Sequence, residues 1–133
     1  MSNRQPDPTF PDLTPSPVFH HVQVVVAKSQ SGSGYDVATY PHRITVTRRN
    51  AVIAYQLVHP TPADIRLTGF TEAPLPPDVP RQLSAPAISP DHRVLTLIDL
   101  NTKAITMDIH LQFIDGDKVP FEHDPQIGND PES

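Results

Sequence analysis

The chain has 133 residues with 17 prolines, no cysteine and a formal charge of −5 at pH 7. That length suits one domain around one core, the acidic balance opposes nucleic-acid binding, which needs clustered Lys and Arg, and the lack of cysteine excludes disulfides, thiolate metal sites and thiol nucleophiles. Leu, Ile, Val and Phe make up about a quarter of the residues, above the roughly 20% below which disorder is expected.

Residues 1–17 hold Pro6, Pro8, Pro11, Pro15 and Pro17 among Asp, Thr and Ser, and read as an extended, flexible arm. They contain no signal-peptide core, and no later stretch approaches the roughly 18 apolar residues of a membrane helix. A cytoplasmic protein with no membrane partner is expected. From Val18 to Lys28, Val22, Val24 and Val26 point one way and His21 and Gln23 the other, which predicts a strand. Ser29–Gly34 is a flexible connection without the glycine pattern of a dinucleotide loop. Strands are predicted over 43–49, with Ile44 and Val46 facing away from Thr45 and Thr47, over 51–59, stopped by Pro60-Thr61-Pro62, and over 65–72. A fourteen-residue, proline-rich loop spans 73–86, longer than the median connection of about 4 to 6 residues.

The clearest periodicity lies near the end. Ile105, Met107, Ile109, Leu111 and Phe113 occupy one face, and Thr106, Asp108, His110 and Gln112 the other, the alternation of a strand with one face on a core. With 94–100 before it, a two-residue Asn101-Thr102 loop would set Ile98 opposite Ile105 and Thr96 opposite Met107, predicting a hairpin. Asp115-Gly116 is the strongest turn signal and leads into a short return strand over 118–121. Seven strands without βαβ alternation predict an all-β, single-domain antiparallel β-sandwich of immunoglobulin-like type over 18–121, with 122–133 docked on it or trailing from it.

Seven histidines invite a metal reading, since imidazole is a common metal ligand. His20 and His21 are adjacent on a strand and face opposite sides, His42, His59, His92 and His123 fall near prolines, and only His110 lies mid-strand. Asp115-Gly116-Asp117 fails as an EF-hand loop, because Pro120 and Gln126 stand where glycine and glutamate are required. There is no G-x-S-x-G elbow. The least generic stretch is Phe121-Glu122-His123-Asp124-Pro125-Gln126-Ile127-Gly128-Asn129-Asp130-Pro131. Asp-Pro favours turns, because proline fixes φ and aspartate accepts downstream N–H groups. In a structural reading Ile127 docks in a surface groove and Asp124 caps the turn; in a functional one His123, Asp124, Asn129 and Asp130 form a small polar ligand site.

Those two acid-proline pairs around Ile127-Gly128-Asn129 resemble the signature of the DP-EP family, small bacterial all-β proteins named for such dipeptides. Asp124-Pro125 matches the first pair, and Asp130-Pro131 stands where the name implies Glu-Pro. The resemblance implies an immunoglobulin-like sandwich and assigns no catalytic residue. The sequence therefore leads to a non-enzymatic interaction protein, without a cofactor, that binds a protein partner or itself. The alternative is a metal- or small-ligand-binding domain using histidines and the C-terminal carboxylates.

Overall fold

A computed structural model describes residues 18–131, so the expected N-terminal arm over 1–17 lies outside the described residues. Ten strands and no helix occur among them: β1 (Phe19–Lys28), β2 (Tyr35–Tyr40), β3 (Arg43–Val46), β4 (Ala51–Leu57), β5 (Arg66–Glu72), β6 (Ala87–Ile88), β7 (Val94–Asp99), β8 (Ile105–Ile114), β9 (Pro120–His123) and β10 (Gln126–Asn129). They form two sheets. The first runs β2-β1-β4-β7-β6 and the second β3-β10-β8-β5, with β9 also paired to β8.

The expected antiparallel arrangement is corrected, because both sheets are mixed. β1 lies parallel to β4, with Phe19 beside Val52 and Val24 beside Leu57, and β3 lies parallel to β10. Parallel neighbours need a connection that crosses over. Here β2 and β3 supply it, one in each sheet, before the chain returns as β4. Strand β2, β6 and β10 add to the seven expected strands. β2 reads weakly because its inward residues are Tyr35, Val37 and Thr39, of which only Thr39 is fully buried.

The expected hairpin of 94–100 with 103–114 is also corrected. β7 pairs with β4 and β6 in the first sheet, whereas β8 belongs to the second. Alternation reports which face a residue occupies but not which strand lies beside it, so inward-facing Leu95, Leu97, Met107 and Ile109 satisfy facing sheets as well as one ribbon. Asn101 makes the crossing. Its φ of 52° is left-handed, a conformation asparagine tolerates, and its Nδ2 donates to the carbonyls of Val46 at 3.1 Å and Arg48 at 3.2 Å.

The alternating valines of β1, Ile53 and Tyr55 of β4, Leu67 of β5, Met107 to Phe113 of β8 and Ile127 of β10 form one buried apolar cluster between the sheets. At one end Phe121 stacks on Phe113 at 5.0 Å and on Tyr35 at 4.5 Å, joining the second sheet to β2. The Tyr35 hydroxyl donates to Asp115 Oδ2 at 2.9 Å. Asp115 Oδ1 accepts the N–H groups of Asp117 and Val119, both at 2.9 Å, and these bonds hold its carboxyl below the usual aspartate range. The turn signal at Asp115-Gly116 thus closes the β8–β9 hairpin. After β4 the prolines at 60 and 62 cannot donate to a ladder, and the hydroxyl of buried Thr61 takes the N–H of Val26 at 2.9 Å instead.

At the other end the sheets meet through polar groups. Asp99, at the end of β7 and 0% exposed, accepts through Oδ1 the Nδ2 of Asn129 and the N–H of Asn101, both at 2.9 Å. Gln82, from the proline-rich loop and also 0% exposed, accepts the N–H of Thr102 at 2.8 Å and donates to the Thr102 hydroxyl at 2.9 Å. Among the described residues, buried Asp99 Oδ2 has no hydrogen-bond partner, and neither do Oδ1 of Asn101 and Oδ1 of Asn129. Burial pushes the Asp99 carboxyl above its ordinary range, the hydrogen bonds from Asn129 and Asn101 and the nearby His20 opposing. A protonated Asp99 carries an O–H donor, which a cluster of unpaired acceptors lacks.

Two outcomes follow for this end of the molecule. Asn129→Ala removes one donor to Asp99 and is expected to cost about 2 kcal/mol of unfolding free energy in urea titrations. The folded state binds the Asp99 proton more tightly than the unfolded chain does, so its contribution is complete below the ordinary aspartate pKa and is lost as pH rises through the raised folded value. Asp99→Asn keeps a donor at that position at every pH, and its unfolding free energy should fall less than that of the natural protein between acidic and neutral pH.

Candidate functional site

The four residues expected to form one site are divided by the structure. β10 runs between β3 and β8, so Ile127 lies in the core at 0% exposure and not in a surface groove. Inward and outward residues alternate along β9 and β10. Asn129 consequently points inward to Asp99 and is 5% exposed, while Asp130 is exposed beyond the strand and donates its N–H to Val46 O at 2.8 Å. Asp124 lies about five residues from Asn129, roughly 17 Å along an extended strand. The expected joint site of His123, Asp124, Asn129 and Asp130 therefore does not assemble.

His123 and Asp124 instead line a depression of about 250 Å³ with His42, Arg43, Asp108 and Gln126. Sheet pairing brings these residues together. β3 begins beside β10, putting Arg43 next to Gln126, and Gln126 is in turn opposite Asp108 on β8. Gln126 links the two charges: its Oε1 accepts Arg43 Nη1 at 3.4 Å and its Nε2 donates to Asp108 Oδ1 at 2.7 Å. Arg43 also reaches the Thr106 hydroxyl at 3.3 Å. The guanidinium lies over Gly128, where an added Cβ would stand 2.7 Å from Nη2. Glycine at 128 lets Arg43 cross the strand to β8.

Burial holds the His123 imidazole below the ordinary histidine range, His42 adding to that effect and Asp124 opposing it. It is neutral at neutral pH. The depression thus presents a neutral imidazole, a second histidine, a guanidinium bonded to neutral side chains and two exposed carboxylates. Among the described residues no group of three or more His, Asp or Glu is disposed to hold a metal ion. His110, expected to be exposed mid-strand, stands 3.9 Å from Glu122 across the β8–β9 pair. His42, Arg43, Asp108 and Gln126 escape sequence reasoning because the parallel β3–β10 contact joins segments about eighty residues apart. The bulk-free glycine at 128 is the one local signal of a close approach.

The outer faces of the two sheets differ. On the second, Arg43, Asp108, Glu122 and Asp124 are exposed. On the first, one row across β1, β4 and β7 is Phe19, Val52 and Ile98, and the next is His21, Ala54 and Thr96. A third crosses β2, β1, β4 and β7 as Tyr40, Gln23, Gln56 and Val94. His21 and Gln56 are bonded at 2.7 Å. None of these side chains is Asp, Glu, Lys or Arg. Phe19 is 64% exposed, Tyr40 60%, Ile98 41% and nearby Leu100 43%.

No curated protein matches the chain. The DP-EP family model matches residues 20–131, which takes in both sheets, the His123-Asp124 depression and the buried Asn129. The chain belongs to the DP-EP family.

Proposed function

We propose that this chain is a non-enzymatic interaction protein, a bacterial, cytoplasmic immunoglobulin-like β-sandwich that binds a protein through the outer face of its first sheet. The observation that carries this reading is the row of Phe19, Val52 and Ile98 with Leu100 beside it. Large apolar side chains that are singly exposed are ordinary on a protein surface, but a contiguous group of them marks a place where association removes apolar area from water. Interfaces are depleted in charge at their centres and enriched in aromatic residues, and the three rows meet both conditions. Ile98→Lys puts a charge into the patch, beside its central Val52, without touching the core. In affinity capture with the tagged full-length protein, the natural chain should retain a reproducible partner that the Ile98→Lys chain, with an unchanged melting temperature, fails to retain. Equal recovery by both chains, or no partner with either, defeats the reading.

A second reading is supported by the depression around Gln126, where a guanidinium and two carboxylates face one small space without pairing to each other directly. That arrangement suits a small ligand bearing both a carboxylate and an ammonium group. A ligand present at 100 times its Kd stabilises the fold by about 2.7 kcal/mol. Melting of EDTA-treated protein against small zwitterions and divalent metals should show a rise for one of them that His123→Ala and Asp124→Ala abolish. A flat panel removes this reading.

A further inference from the structure

We propose that the occupant of the first sheet's outer face is a second copy of the same chain, in a reversible two-fold dimer. This rests on the interaction reading above and names its partner.

Each copy carries a formal −5, so contact between two copies is opposed least where the meeting surfaces carry no charge. The three outer rows of the first sheet contain no charged side chain, while the second sheet exposes Arg43, Asp108, Glu122 and Asp124. A strongly basic or acidic partner finds no complement on these three rows. Another copy brings the same apolar and amide side chains, and loses no charge solvation on contact.

Symmetry supplies the fit. A two-fold interface must be self-complementary. In the first row Val52 is central, with Phe19 one strand away on β1 and Ile98 one strand away on β7. An axis running along β4 above Val52 therefore sets Phe19 of one copy against Ile98 of the other and repeats the contact on the opposite side. The strands of the two facing sheets then run close to parallel, the usual arrangement for aligned sheet packing. Strand spacing makes the three rows roughly 20 Å by 20 Å. That is smaller than the roughly 800 Å² per partner of a standard stable interface, which assigns a dimer that dissociates on dilution.

The test is sedimentation equilibrium of the full-length protein over roughly 1 µM to 1 mM, the range in which a weak dimer converts. The mass should rise toward that of two chains, and Ile98→Lys or Phe19→Glu should each weaken association by at least about tenfold, since each would bury an unpaired charge. Because the axis sets residue 19 against residue 98, mixing the Phe19→Glu chain with the Ile98→Lys chain should restore a heterodimer that neither forms alone. Unchanged melting temperatures show that the variants remain folded. A natural chain that stays monomeric throughout overturns the proposal, as does a monomer in which residues 1–17 cross-link to this face. In that event Ile98-dependent capture of a different protein leaves the interaction reading standing, and its absence removes both.

Discussion

One carboxyl oxygen, Oδ1 of Asp99, joins the two sheets at the end where the chain crosses between them. It accepts from Asn129 at the end of β10 and from the N–H of Asn101 at the crossing, and the same group of side chains includes Gln82 of the proline-rich loop through its 3.4 Å contact with Asn129 Nδ2. Asn101 then extends the connection to the carbonyls of Val46, the last residue of β3, and of Arg48 just beyond it. Four segments distant in sequence are thus held by directional bonds inside the fold. Apolar contacts between the sheets supply most of the driving force, but they are non-directional and tolerate changes of shape when volume is kept. The polar end fixes what they leave free: which strand follows which, and how far each sheet slides over the other. In this buried setting an unmade bond is costly, and three unpaired acceptor oxygens around Asp99 make the state of its proton part of that constraint.

The existence of the long strands was legible because burial imposes a period of two. β1 and β8 alternate with hardly an exception, and their inward residues are the buried ones. The closing turn at Asp115 was legible for a chemical reason, since its carboxylate bonds the turn's own N–H groups. Neighbour relations were not. The alternation of β7 and β8 is the same whether they pair or face each other, and the feature that decides between these, the side chain of Asn101, bonds to residues about fifty positions earlier. The candidate site was half legible for the same reason. His123 and Asp124 lie in one depression, but parity along β10 turns Asn129 into the interior, and His42 and Arg43 arrive through a parallel pairing that no local pattern records.

The two outer faces divide the surface chemistry of the molecule. The second sheet carries a guanidinium and a carboxylate in one row, with Gln126 between Arg43 and Asp108. Those groups are exposed and screened, and isolated surface pairs of this kind add little to stability, so their arrangement bears on recognition more than on folding. The outer rows of the first sheet differ, with exposed aromatic and aliphatic side chains and a His21–Gln56 hydrogen bond. Three adjacent rows of the first sheet's outer face are thus free of Asp, Glu, Lys and Arg, with Asp36 of β2 lying beyond them, in a chain whose overall balance is acidic.

The Asp124-Pro125 step shows how a short sequence signature serves this architecture. β9 and β10 keep one register along β8, since Leu111 is opposite His123 and Asp108 is opposite Gln126, and Ile109 N–H still donates to Pro125 O at 3.2 Å between them. Proline lacks a donor, so the ladder is interrupted without losing its alignment. The interruption coincides with a change of surroundings: β9 has β8 as its strand partner, whereas β10 is enclosed between β8 and β3. With Pro125 buried and Asp124 exposed, the step keeps Phe121 in the aromatic stack at one end and delivers Asn129 to Asp99 at the other. The same step leaves Asp124 and His123 at the mouth of the depression. One step therefore positions a partly buried aromatic, a buried hydrogen bond and two residues of the depression on a single extended arm, which gives a physical reason for a proline at this point of the fold.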